Sequence, residues 1–392
     1  MNRFSFIVLI WFNCLLPSLL GGVSTDKELG LEVLWDLELE RFRVFRPHGK
    51  AQIDFDSESG MYNMSLSFLA WMNEAADVEN QLDQSRIEAR SALFNFFFDS
   101  YLVSIGQMIV DWGETFGYRP SDLVNARDLR NFPPLDLDAN KIPVTAMRFA
   151  GSLDFLQGEF IFSPLSSYPL LPKRLADGST LRAPTRNESW FEQSEYGMKL
   201  GILLGSGNID FYTYKHLNRI PILDLSSEGW RSHYEILDSF GLNSAFSFDS
   251  FVIRCDGLLS PRHPILVRAF SDLKEYDRYF SLTFGLDWSY EQVSLLGLQA
   301  HLERYPIKKE PNQKGISMQA RHELSNFNVS LALSLYRGFI HKDHREEIKL
   351  SKKVGPNLDL SIGLERLFWV ENSPIALTAN SRSFTGKIAY QF

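Results

Sequence analysis

Cysteine is nearly absent from this sequence: Cys14 and Cys255 are the two in 392 residues. Two cannot build a disulfide framework, and Cys14 lies in a segment read below as removed. A structural disulfide or a cysteine-based metal site therefore does not fit the mature chain. An excess of positive charge is lacking as well. Forty Lys and Arg against 48 Asp and Glu give a net charge of -8, which leaves no electrostatic footprint for nucleic acid. Beyond residue 24 no apolar run approaches the roughly 20 residues that a spanning helix needs. The chain is nevertheless 44% hydrophobic and 14% aromatic, too apolar to stay disordered. Absent too are a Gly-x-Ser-x-Gly elbow, a His-Glu-x-x-His, a phosphate loop and a dinucleotide fingerprint. No cofactor is expected, and no enzyme.

What is present begins with an address. Arg3 precedes an apolar run from Phe4 to Leu20, followed by the small residues Gly21-Gly22-Val23-Ser24 and the polar Thr25-Asp26-Lys27. A basic start, a short apolar core and small residues before polarity form a secretory signal peptide. Residues 1–24 are expected to be that peptide, cleaved after Ser24, and 25–392 the mature domain.

The mature chain alternates. Tyr196, Met198, Leu200, Ile202 and Leu204 are bulky and apolar, with Gly197, Lys199 and Gly201 between them. Phe280, Leu282, Phe284, Leu286 and Trp288 alternate with Ser281, Thr283, Gly285 and Asp287. The same holds for Val329, Leu331, Leu333 and Leu335, and for Leu358, Leu360, Ile362 and Leu364. A strand sends successive side chains to opposite faces, so each segment has one greasy and one polar face. Runs of about ten residues are what a tilted strand needs to cross a bilayer. In lipid such strands must close, because no backbone group can stay unpaired.

Strands are expected at 31–43, 48–56, 61–72, 85–98, 101–113, 143–150, 153–162, 195–204, 207–216, 236–247, 250–258, 278–289, 292–303, 315–324, 327–337, 344–353, 356–367 and 384–392. Tight joints fall at Asp99-Ser100, Gly151-Ser152, Gly205-Ser206, Asp249, Tyr290-Glu291, Ser325-Asn326 and Gly355. From the third strand onward they alternate with long ones, the asymmetry of bacterial outer-membrane barrels. The expected fold class is all-β: a transmembrane antiparallel up-and-down β-barrel of about 18 strands, 16 being the other count. The final segment alternates up to Phe392, which reads as the signal for the barrel-assembly machinery.

Alternation assigns to the lumen Arg86, Glu88, Arg90, Arg148, Glu159, Lys199, Asp210, Arg254, Asp256, Asp287, Glu303, Arg321, Glu323, Asp359, Glu365 and Lys387. Both signs occur, often two residues apart, as in Arg86/Glu88, Arg254/Asp256 and Arg321/Glu323. Such pairs share a face and are expected to form lateral networks. A single-sign ladder would have argued for a phosphate or cation pore.

Gly106-Gln107-Met108-Ile109-Val110-Asp111-Trp112-Gly113-Glu114, followed by Arg119-Pro120-Ser121-Asp122-Leu123-Val124-Asn125-Ala126-Arg127-Asp128, resembles a family of proteobacterial outer-membrane barrels distantly akin to alginate-export porins. That family has a Gly-Arg-Gln strand running into Trp-Gly-Glu, then Asp-x-Val-Asn-Pro-x-Asp. Here Gln107 and Met108 stand where Arg-Gln is usual, and Ala126 where Pro is usual. The resemblance implies a barrel and a transport-like role.

Physically, the same stretch reads as a strand ending at Trp112, an interfacial aromatic, before a long loop over 114–142. A loop of this length without secondary structure is usually functional or disordered. Two readings stay open: a constriction folded into the lumen, carried by Glu114, Arg119, Asp122, Asn125, Arg127, Asp128 and Arg130, or a cell-surface loop. A barrel of 18 strands is wide enough for a water-filled channel. The function expected is passive passage of small hydrophilic solutes across the outer membrane of a Gram-negative bacterium. The expected partners are outer-membrane lipid, lipopolysaccharide and the assembly machinery. The rival readings are a non-conducting surface barrel and an outer-membrane hydrolase, which would need a Ser–His pair in one layer.

Overall fold

A computed structural model describes residues 24–36, 41–56, 62–72, 85–128, 141–171, 181–182, 193–219, 222–226, 229–265, 275–291, 293–304, 313–339, 344–368 and 381–391. The expected signal peptide, Arg130 and Phe392 lie outside these residues, apart from Ser24, which opens the first strand.

The strands are β1 (Ser24–Asp36), β2 (Arg41–Asp56), β3 (Tyr62–Met72), β4 (Ser85–Phe97), β5 (Tyr101–Met108), β6 (Val144–Leu153) and β7 (Leu156–Ser163). Next come β8 (Leu181–Arg182), β9 (Glu195–Leu204), β10 (Gly207–Leu217), β11 (Ile222–Ser226), β12 (Gly229–His233), β13 (Ile236–Phe248) and β14 (Phe251–Ile265). The last are β15 (Glu275–Tyr290), β16 (Ser294–Arg304), β17 (Gln313–Leu324), β18 (Val329–Gly338), β19 (His344–Val354), β20 (Leu358–Phe368) and β21 (Ser381–Gln391). Among the described residues, 18 of them form one antiparallel sheet in chain order. Pairing of β1 with β21, from Glu28↔Gln391 to Asp36↔Ser383, closes it into a barrel. The short strands β8, β11 and β12 make a separate three-stranded sheet from two of the long connections.

Burial is inverted relative to a water-soluble domain. Leu200 (52% exposed), Phe284 (50%) and Leu364 (53%) face outward, while Asp210, Asn243, Asp256 and Thr283 are at 0–1%. An apolar surface this extensive requires an apolar surrounding. Aromatic side chains gather where the tight turns are. Phe98 stacks on Tyr101 at 4.4 Å and Trp288 lies 6.2 Å from Tyr290; Phe155, Phe248, Phe251 and Phe327 are exposed beside the other turns. Amphipathic rings of this kind mark a membrane–water interface.

Each tight turn from β6–β7 onward holds one residue with left-handed φ: Asp154, Gly205, Asp249, Glu291, Asn328 and Gly355. That conformation reverses the chain within two or three residues without splaying the strands. Between β4 and β5 the two backbones meet at Gly106 (φ +137°), where a methyl group would overlap the Ala92 carbonyl oxygen. Only glycine allows that approach, which gives the first residue of the Gly106–Glu114 signature a structural reason.

Most expected strands are found within a few residues, and four readings are corrected. The first hairpin lies earlier, with β2 starting at Arg41. The turn placed at Gly151-Ser152 is at Asp154-Phe155, because Asp154 takes the left-handed position. β5 stops at Met108 rather than running to 113, and Trp112 is not an interfacial aromatic, being 1% exposed. The small sheet of β8, β11 and β12 was not anticipated. A register shift in β3–β4 at Ser67/Phe68 leaves Arg90 as an extra residue, in the stretch where alternation is blurred.

Candidate functional site

β5 and β6 stay paired to the residues that end and begin them, Met108↔Val144. The described residues between them, 109–128 and 141–143, lie outside the wall strands. Residues 110–126 go inward: Val110 is 6% exposed, Trp112 1%, Val124 and Ala126 0%.

The outgoing limb is fastened to the inner wall strand by strand. Trp112 Nε1 donates to Glu159 of β7 at 2.8 Å, and its ring meets Tyr212 and Tyr214 of β10 at 5.7 and 5.3 Å. Its carbonyl accepts from Asn243 Nδ2 of β13 at 2.6 Å. The backbone N–H groups of Glu114 and Thr115 each donate to the Asp256 carboxylate of β14 at 3.0 Å, and the Thr115 hydroxyl donates at 2.6 Å. Arg254 donates to the Glu114 carbonyl at 3.2 Å. Phe116 lies over Gly297 of β16, where any side chain would overlap its ring. The Tyr118 hydroxyl donates to Glu303 of β16 and sits 3.3 Å from the Tyr279 hydroxyl of β15. None of these contacts of residues 112–118 falls on β18–β20.

The segment from Asp122 to Arg127 is held by its own polar groups. Asn125 accepts from the Val110 N–H at 2.8 Å and donates to the Ile142 carbonyl at 2.9 Å, clasping the two limbs together. Asp122, with its side chain 1% exposed, pairs with Arg127 at 3.0 Å and Lys141 at 3.1 Å. Lys141 also binds Asp111. Burial works to lower the Lys141 ammonium, but the Asp111 hydrogen bond and the Asp122 charge outweigh it and hold its pKa above the ordinary lysine value. Arg119 packs against Gly113, and Asp128 bridges to Leu170.

Arg219, in the connection after β10, ties this segment to the wall. Its guanidinium donates to the carbonyls of Leu123 (2.9 Å), Val124 (2.8 Å) and Ser167 (3.0 Å) and to both Glu195 oxygens (3.1 and 2.8 Å). Glu195 also accepts from Tyr214 at 3.1 Å and the Leu217 N–H at 2.9 Å. The planar fork suits several acceptors at once. Burial pulls the guanidinium down, yet Glu195 outweighs it and Arg219 stays charged.

The wall residues assigned from alternation fall into pairs. Arg148 meets Glu159 at 2.8 Å, Lys199 meets Asp210 at 3.8 Å and Arg254 meets Asp287 at 2.7 Å. Arg345 joins Glu365 at 2.7 Å and Glu347 at 3.2 Å, and Arg90 donates to the Lys141 carbonyl at 2.6 Å. Asp359 stands opposite Lys353 in the β19–β20 register. Arg321 and Glu323 do pair two residues apart, at 2.6 Å. Arg254 and Asp256 do not: each turns to other partners. The side chains of Arg86, Glu88 and Lys387 lie outside the described ones. Lys141, Glu195, Arg219, Asn243, Thr115 and Tyr118 were missed: Glu195 and Asn243 stand at inward positions of expected strands and were passed over, whereas the other four carry no periodic or motif signal.

Two Ser–His pairs occur among the described residues. Ser294 and His322, joined by an exposed hydrogen bond of 2.8 Å, sit near the tight-turn ends of β16 and β17; the other pair is buried. His216 Nε2 lies 2.9 Å from Ser239 Oγ, which lies 2.7 Å from Ser260 Oγ, while Nδ1 faces the Leu217 carbonyl at 2.8 Å. Ser239 is 0% and Ser260 1% exposed, so no substrate reaches them. The chain of hydrogen bonds fastens β10 to β13 and β14. Asp256 supplies a milder test of the inward anchoring. Asp256→Asn keeps the size but removes charge-assisted bonds worth about 1.5–3 kcal/mol each. It is expected to increase open-channel current noise while the barrel keeps its gel mobility when unheated.

No family model matches this chain, and no curated protein does. Solved structures share its fold. OccAB3 of Acinetobacter baumannii superposes with a TM-score of 0.59 at 11% identity, over 95% of this chain and 100% of that one. OpdK of Pseudomonas aeruginosa with vanillate gives 0.61 at 8% identity, over 95% and 99%. OccK2 (OpdF) of Pseudomonas aeruginosa with glucuronate gives 0.59 at 8% identity, over 95% and 98%. The chain thus has the fold of these outer-membrane barrels along nearly its whole length.

Proposed function

We propose that this chain is a porin-like channel of a Gram-negative outer membrane, passing small hydrophilic solutes between the inward-folded segment 109–128 and the β17–β20 wall. One observation carries the reading: a long connection crosses a polar interior and is fastened to β7–β16, leaving the opposite wall to water. Exposure differs between particular residues of the two sides, although Glu365 of β20, paired with Arg345, has a side chain only 4% exposed. On the covered side the Asp210 side chain is 1% exposed; on the open side the Arg321 and Glu323 side chains are 53% and 45% exposed. Lining charges of both signs favour polar solutes without a single-sign filter. OpdK and OccK2 were solved with vanillate and glucuronate, two small carboxylates, and a solute of that size fits this reading. The likeness of Gly106–Glu114 and Arg119–Asp128 to a family of outer-membrane barrels distantly akin to alginate-export porins points to transport as well. In the same reading residues 1–24 direct export, the C-terminal alternation ending at Phe392 engages the assembly machinery, and the apolar outer face contacts lipid. The chain is no enzyme in it.

Proteoliposome swelling tests the proposal. Vesicles carrying the folded chain are expected to swell in isotonic pentose and small carboxylate solutions and to resist oligosaccharides. Swelling no faster than in protein-free vesicles, with the barrel shown folded by its heat-modifiable gel shift, contradicts it and favours a non-conducting surface barrel.

A further inference from the structure

The outer face of β15–β20 is apolar until the end that carries the longer connections, and there it turns cationic. Arg278 shares the outward face of β15 with Phe280 and Phe284. Arg304 shares that of β16 with Leu298, Lys314 that of β17 with Ile316, and Arg337 that of β18 with Leu331; all four cations are exposed. The register places them in one row. Phe280 pairs with Arg304, Leu302 with Lys314, and Ile316 with Arg337. Each cation is therefore the diagonal neighbour of the next, about 7–8 Å away along the sheet. The row steps two residues toward the tight turns at each strand. The turn-side ends of the same strands drift in that direction too, as the stagger of tilted barrel strands requires. The row outpaces that drift and so slopes down the outer face, from Arg278, twelve residues from Tyr290, to Arg337, eight residues from Val329. Arg366 continues it on β20, with Glu346 beside it at 4.0 Å as the acid on this face. At the opposite, tight-turn end of these strands Lys352 is the outward Lys or Arg among the described residues.

From Arg278 to Tyr290 and from Arg337 to Val329 the outward positions are otherwise apolar. Tilted, these stretches approximate the ~25 Å band that outer-membrane barrels present to lipid. The row thus lies at the band's edge, where headgroups lie and where a charge costs little. We propose that Arg278, Arg304, Lys314 and Arg337 form a binding surface for the phosphate groups of lipopolysaccharide in the outer leaflet. This rests on the reading of the chain as an outer-membrane barrel with its long connections outward. Guanidinium and ammonium groups spaced along a row meet several phosphates of neighbouring headgroups at once.

The test uses the full folded chain in detergent, titrated with bis-phosphorylated lipid A and with the same lipid dephosphorylated, binding being read by native mass spectrometry. A basic residue near an anionic surface contributes about fivefold in affinity, so a triple R304Q/K314Q/R337Q variant is expected to lose on the order of a hundredfold. K352Q, at the other end, is expected to bind as the wild type does. The dephosphorylated lipid is expected to bind the wild type as weakly as lipid A binds the triple variant, an arm that needs no substitution to fold. Equal binding of the two lipids by the wild type, or undiminished binding by a folded triple variant, overturns the proposal. The two readings fail separately. A wild type that prefers lipid A but conducts nothing sinks the channel alone, and one that conducts but ignores phosphate sinks the lipid surface alone.

Discussion

Replacing residues 110–142 by a two-residue Asn-Gly turn is expected to raise single-channel conductance several-fold and to weaken discrimination by solute size. Met108 and Val144 are register partners, so a hairpin turn can join β5 to β6 without disturbing either strand. The wall does not depend on the removed segment for its closure, which comes from the β1–β21 ladder. What the replacement does remove is Trp112, Phe116, Tyr118 and the limb behind them from the interior. Asp256, Asn243 and Glu303 lose partners, but they then face water and are hydrated rather than stranded. An 18-stranded barrel without an interior segment leaves an aqueous channel. Conductance unchanged by the replacement would mean that this segment does not narrow the path.

Removing Arg219 is expected to unfasten the same segment without deleting it. Arg219→Ala withdraws five donated bonds and leaves Glu195, whose side chain is 1% exposed, with an uncompensated charge. Breaking one partner of such a pair costs about 3–5 kcal/mol. Since each 1.4 kcal/mol is a factor of ten, the unfastened state gains at least about a hundredfold in population. Rapid flicker in the open-channel current and new proteolytic cuts within 114–128 are the expected readouts. Arg219→Lys keeps the charge but loses the fork that reaches Leu123, Val124 and Glu195 together, and falls between the two. Current traces and cleavage patterns identical to wild type in Arg219→Ala would contradict the anchoring role.

The barrel was legible in the sequence because lipid imposes a period of two on every strand, and the tight turns confirm its phase. The interior segment was legible only as one of two open readings, for a reason visible in Met108, Val110 and Trp112. These extend the inward row of Ser104 and Gly106 on β5, and all three are buried inside the barrel. Alternation reports that one side is apolar, not whether lipid or a tyrosine-lined wall provides the apolar partner. The lateral charge pairs were over-read because the interior offers other partners. Arg254 reaches Asp287, its diagonal neighbour across β14–β15, and Asp256 takes the backbone of Glu114 and Thr115. A spacing of two along one strand does not show which of these a side chain takes. Arg219 left no trace at all: it sits in an aperiodic connection, and its partners Leu123 and Glu195 are 96 and 24 residues away in the chain. The first hairpin was displaced because β2 holds polar and charged residues, Arg41, Arg43, Arg46 and His48, that blur its phase.

Whether the interior conducts is the central question, and a planar-bilayer recording of the intact folded chain answers it most directly. Discrete, long-lived current steps at neutral pH in molar salt, smaller than those of the 110–142 replacement, are what this account predicts. Silence from a chain that shows the gel shift of a folded barrel would contradict it.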